Sequence, residues 1–128
     1  MTRQDMSAIP NGDLLVILRH GPHGSSWLRE GLDAALVAAA FGQRVSLLFL
    51  GDGVMALLGG QQVGPLGQKG TQPMLEMLGM YDIETLLVDR GALVERGIGV
   101  SDLSVTVSLV ESEDIANVLA HHRQILNF

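Results

Sequence analysis

The chain contains no cysteine. That absence excludes disulfides, thiolate zinc sites, iron–sulfur ligation and any thiol nucleophile carried by this polypeptide. Lysine is almost absent as well: Lys69 stands alone beside seven arginines, and fourteen acidic residues leave a net charge of −6 with no Lys/Arg cluster. Such a field repels phosphate backbones, so direct nucleic-acid binding, which rests on many Lys/Arg contacts to phosphate, is not expected. Aromatic residues are few, with a single Trp and a single Tyr, too few to flank a flavin. No apolar run is long enough to cross a bilayer, and residues 1–12 lack the apolar stretch of a signal peptide. These absences lead to the expectation of a cytoplasmic protein.

Apolar residues are abundant. They make up 47% of the chain against 17% charged, with mean hydropathy +0.30, more apolar surface than one small core needs. The surplus suits a subunit of an oligomer or complex. The 128 residues fit one domain, expected over 13–128 behind a flexible N-terminal tail, 1–12, that closes on the turn signal Pro10-Asn11-Gly12.

The organising stretch is Leu14 to Asp33. An apolar run, Leu14-Leu15-Val16-Ile17-Leu18, breaks into Arg19-His20-Gly21-Pro22-His23-Gly24-Ser25-Ser26, and Leu28, Leu32, Ala35, Leu36 and Ala39 then recur at helical spacing. This is strand, tight loop, helix, with Ser25 or Ser26 expected to cap the helix and Gly42 to end it. Val45 to Leu50 is a continuous apolar run, expected as a strand buried on both faces. After it Asp52 is placed to cap a short helix, Val54 to Leu58.

Gly59 to Gln72 is rich in glycine and glutamine and predicts one long loop, a plausible partner contact. A helix is expected from Thr71 to near Gly79, a third strand over Glu84 to Asp89, and a short helix over Gly91 to Arg96. Leu103 to Val110 predicts a fourth strand. Ser112 should cap a helix carrying Ile115, Val118 and Leu119, with His121-His122-Arg123 placing cations at its negative end. Gln124 to Phe128 predicts a fifth strand. Strands alternating with helices argue a flavodoxin-like α/β three-layer sandwich around a five-stranded parallel sheet, most simply in the order 2-1-3-4-5.

That order gathers His20, His23, Asp52, Asp89 and Arg90 at the carboxyl edge of the sheet, the one candidate site. Gly21-Pro22-His23-Gly24 could cradle an anion, yet it has neither the lysine of a P-loop nor the glycine spacing of a dinucleotide loop. His20 and His23 lack a third placed ligand, so neither a metal nor a cofactor is expected. A phosphoacceptor receiver domain would use Asp89, but strand one ends in Arg19-His20 where that chemistry needs acidic metal ligands. A stand-alone anion- or nucleotide-binding module, and an enzyme using His23 with Asp52 or Asp89, stay open on these residues alone.

Six stretches in register carry a resemblance: Gly21-Pro22-His23-Gly24, Arg29-Glu30-Gly31-Leu32-Asp33-Ala34, Leu48-Phe49-Leu50-Gly51-Asp52-Gly53-Val54, Leu57-Leu58-Gly59-Gly60-Gln61, Leu78-Gly79-Met80-Tyr81-Asp82-Ile83-Glu84 and Leu93-Val94-Glu95-Arg96-Gly97. In this order they resemble the DsrE/DsrF-like family, most closely its TusC and DsrF branch, over nearly all of 14–128. The resemblance implies a sulfur-relay subunit working with TusB-like and TusD-like sister subunits in tRNA 2-thiolation, or with DsrE-like and DsrH-like equivalents in sulfur oxidation. In the sulfur-carrying member of such a complex a cysteine sits at the carboxyl end of the strand before the Glu95-Arg96-Gly97 helix. In register, that place is Asp89. The resemblance therefore implies a non-catalytic member whose pocket of His23, Asp52, Asp89 and Arg90 is vestigial, with no catalytic residue of its own.

Overall fold

The computed structural model describes residues 10–59 and 72–128. The long loop expected over Gly59 to Gln72 lies outside the described residues except at its two ends, and so do residues 1–9 of the expected tail. Five strands, β1 (Gly12–Leu18), β2 (Val45–Phe49), β3 (Thr85–Asp89), β4 (Ser108–Val110) and β5 (His122–Asn127), form one all-parallel sheet. The α-helices are α1 (Trp27–Ala40), α2 (Gln72–Met77), α3 (Arg90–Glu95) and α4 (Ile115–Ala120), with 3-10 segments at Gly51–Leu57, Leu78–Tyr81, Val100–Asp102 and Ser112–Asp114.

The continuous apolar runs of β1 and β2 follow from burial on both faces: Leu15, Val16, Leu18, Leu47, Leu48 and Phe49 are inaccessible to solvent. One face carries Leu14, Val16, Leu18, Leu47, Phe49 and Val88 against Leu28, Leu32 and Ala35 of α1, Leu75 of α2 and Leu93 of α3. The other face carries Leu15, Ile17, Leu48 and Leu87 against Val118, Ile115 and Leu119 of α4. Each leucine so buried contributes about 2 kcal/mol, and the two clusters make the three layers of the α/β sandwich.

The strand order is β4-β3-β2-β1-β5, which corrects the expected 2-1-3-4-5. The first three crossovers each step one place in the same direction, so right-handed connections put α1, α2 and α3 on one face. The chain then returns across the whole sheet, and this reversal puts α4 on the other. β5 takes the side of β1 that the expected order gave to β3, pairing Leu15 with Ile125 and Val16 with Leu126. Hydrophobic runs locate strands but carry no label for their neighbours.

Local departures have local causes. The fourth strand begins only at Ser108 because the residues before it pair elsewhere: Leu103 bridges Leu58 antiparallel, and the Ser104 N–H donates to the Leu57 carbonyl at 2.7 Å. Ser26 stands at the start of α1 without a side-chain capping bond, and the segment after β2 is a 3-10 helix entered from Leu50, with Asp52 making no cap. The second helical stretch runs past Gly79 as a 3-10 turn to Tyr81 and stops at Asp82 in the left-handed region, φ 61°. His121 closes α4 as expected, its Nδ1 2.7 Å from the Asn117 carbonyl. His122 does not: it opens β5, is buried, and turns inward.

Candidate functional site

The carboxyl edge of the sheet is shaped by the turns after β1 and β2. Leu18 and the turn after it press directly on the 3-10 segment Gly51–Leu57: a Cβ on Gly53 would lie 1.9 Å from the Leu18 carbonyl oxygen. Only glycine fits there. This contact holds the two turns side by side and leaves between them an open groove of about 470 Å³, lined by Gly21, Pro22, His23, Asp52, Met55, Leu58 and Arg96.

Arg96 and Asp52, 44 residues apart in sequence, form the polar centre of the groove. Arg96 Nε and Nη2 both donate to Asp52 Oδ1, at 3.2 and 2.8 Å, while Nη1 donates to the Ala92 carbonyl at 3.0 Å. Glu95 Oε2 stands 3.7 Å from Nη1. The Arg96 side chain is 24% exposed and that of Asp52 72%. The guanidinium is therefore fixed against the protein while the carboxylate faces solvent.

The expected site residues divide. His23 and Asp52 line the same groove. Asp89 and Arg90 are not among its lining residues: Asp89 caps α3, its Oδ1 accepting the Gly91 N–H at 3.1 Å, and Arg90 reaches away to Glu111 at 3.4 Å. His20 stacks on Trp27 with ring centroids 5.7 Å apart, its Nδ1 buried without a hydrogen-bond partner among the described residues. Arg96 was not singled out from the sequence. A lone arginine at the end of a short helix gives no sign of its partner, and the sequence marks Arg96 only as part of the Leu93-Val94-Glu95-Arg96-Gly97 stretch.

Chemically, the groove offers an exposed carboxylate, an imidazole and apolar walls. Among the described residues no three His, Asp or Glu side chains are grouped to hold a metal ion, and no helix is long and apolar enough to cross a membrane. A sequence profile described as "DsrE/DsrF-like family" matches residues 13–128. The chain belongs to the DsrE/DsrF-like family. Similar members include "Protein TusC homolog" of Vibrio vulnificus (strain CMCP6), 38% identical over 115 residues, covering 90% of this chain and 98% of that one. "Protein TusC homolog" of Pseudomonas aeruginosa is 34% identical over 113 residues, covering 88% and 95%. "Intracellular sulfur oxidation protein DsrF" of Allochromatium vinosum is 40% identical over 85 residues, covering 66% and 62%. Among solved structures, the ychN protein from E. coli superposes with a TM-score of 0.79 at 23% identity, covering 91% of this chain and 98% of that one. That likeness gives the DsrE/DsrF-like chain its fold, the same α/β sandwich.

Proposed function

We propose that this chain is a non-catalytic subunit of a cytoplasmic sulfur-relay complex of the TusBCD kind, which passes persulfide sulfur toward 2-thiouridine at the tRNA wobble position. One observation carries the reading: a chain similar to TusC proteins over most of its length has no cysteine. Sulfane sulfur is carried as a persulfide, which needs a thiolate to accept it. Asp89, in the place the resemblance gives to a carrier cysteine, offers a carboxylate that is already engaged in holding the first turn of α3. The chain therefore contributes structure, and a TusD-like sister subunit contributes the thiol.

Its surface suits that role. Phe41 and Met80 are more than 80% exposed, and Trp27, Val37 and Val94 are about half exposed or more, which supports burial against TusB-like and TusD-like partners. The test is co-expression with the sister subunits followed by treatment with a persulfide donor and thiol-specific labelling. The expected result is a stable hetero-oligomer with label on a sister subunit only, and loss of tRNA 2-thiouridine when this chain's gene is deleted. A chain that stays monomeric in the presence of the sister subunits would sink the proposal.

A second reading, a DsrF-like subunit beside DsrE-like and DsrH-like partners in sulfur oxidation, is favoured by the 40% identity to the Allochromatium vinosum protein. Genes for a dissimilatory sulfite reductase beside this one would decide for it.

A further inference from the structure

We infer that the groove between the β1 and β2 turns is the seat of a partner-protein segment that brings an apolar side chain together with a lysine or arginine. The inference rests on the proposal that the chain is a complex subunit, and names which surface of it is engaged and by what chemistry. The walls of the groove supply the first half of the argument. Pro22, Met55 and Leu58 give it a mostly apolar lining, which favours an apolar side chain or the aliphatic stem of a long one.

Charge supplies the second half. Three of the five Arg96 N–H groups are engaged within the protein, Nε and Nη2 donating to Asp52 and Nη1 to the Ala92 carbonyl. Both bonds that Asp52 accepts end on Oδ1, so Oδ2 takes none among the described residues and the side chain is 72% exposed. With Glu95, 79% exposed, beside Arg96, the ion cluster at the groove carries two negative charges to one positive, in a chain whose net charge is −6. An incoming cation is attracted at long range and meets on arrival a carboxylate oxygen that takes no bond among the described residues. An acidic segment is repelled at both stages.

The shape decides between a protein and a small molecule. Small-molecule sites enclose most of their ligand, whereas this groove is more open than enclosed. A protein segment, anchored by the rest of its interface, needs no more.

The experiment measures affinity between this chain and its co-expressed sister subunits, by calorimetry or surface binding, for wild type, Asp52→Lys, Asp52→Asn and Met55→Gln. Circular dichroism and thermal unfolding establish that each variant is folded. Expected are a loss of about tenfold or more for Asp52→Lys, a loss of several-fold for Met55→Gln, and a weaker dependence of affinity on salt for Asp52→Asn than for wild type. Asp52→Lys and Met55→Gln both binding within twofold of wild type would overturn the assignment of the groove while leaving the subunit reading intact. Tighter binding by Asp52→Lys would overturn it too, by showing an acidic occupant. A wild-type chain that binds no sister subunit removes the subunit reading, and this inference with it.

Discussion

The two edges of the sheet use the same side-chain types in opposite ways. At the amino edge His122 is buried and each ring nitrogen has a partner: Nδ1 is 2.8 Å from the Val118 carbonyl and Nε2 is 2.9 Å from Ser46 Oγ. A carbonyl only accepts, so Nδ1 carries a proton, and in the neutral ring Ser46 Oγ–H donates to Nε2. One hydrogen-bonded chain thus ties α4, β5 and β2 together out of reach of water. At the carboxyl edge His23 is exposed and the Asp52 carboxylate, paired with Arg96, faces solvent. Burial makes the difference. A buried polar group left without its partner loses hydration and gains nothing, whereas an exposed one falls back on water. The amino edge therefore holds the fold, and the carboxyl edge is free to be changed by what binds it.

Breaking the amino edge gives the largest expected effect. His122→Ala leaves Ser46 Oγ without its partner, takes one of two donors from the Val118 carbonyl, which keeps the His121 N–H at 3.2 Å, and opens a cavity under β5; it should destabilise by about 3 kcal/mol in urea unfolding, lowering Tm by roughly 10 °C. Ser46→Ala removes one partner only and should cost about 1.5 kcal/mol. Because both substitutions strike one hydrogen-bonded chain, the double variant should fall short of the sum of the two. Unchanged urea midpoints for both would erase the contrast between the edges.

That contrast was only half legible in the sequence. The five strands and the α/β class follow from runs such as Val45 to Leu50, because burial on both faces writes itself as uninterrupted apolar residues. The strand order does not, since nothing in Gln124-Ile125-Leu126 says that its ladder partner is β1. His122 was expected to serve a helix end like His121, because adjacent histidines look alike until the chain changes from helix to strand between them. His23 and Asp52 were paired by strand-end position, which local pattern does reveal. Arg96 needed the fold, because the ion pair it makes spans 44 residues and two separate crossovers.

Asp89 lies at the carboxyl edge yet behaves as a structural residue, and so sharpens the division. Its carboxylate holds the Gly91 N–H at the start of α3, and the side chain is partly buried. Asp89→Ala should cost about 1 kcal/mol through loss of the cap, and Asp89→Asn, which keeps an accepting oxygen, only a fraction of that. Chemical denaturation of the two variants checks it. Equal losses would mean that the charge, and not the capping bond, is what α3 needs.

The smallest effect on stability is expected where the largest effect on assembly is proposed. Asp52 is mostly in water, so its pair with Arg96 is screened, and pairs of this kind contribute between nothing and about 1 kcal/mol. Asp52→Asn keeps an oxygen for Arg96 to donate to and should move the unfolding free energy by less than about 0.5 kcal/mol. The same substitution is expected to alter the salt dependence of subunit binding, which is a property of the exposed charge. A loss of stability matching that of Ser46→Ala would make Asp52 one more brace of the fold, because an ion pair that costs so much to break is one that water does not reach. Stability unchanged beside altered assembly would put the two edges of one sheet under different demands, the buried one set by folding and the open one by partners.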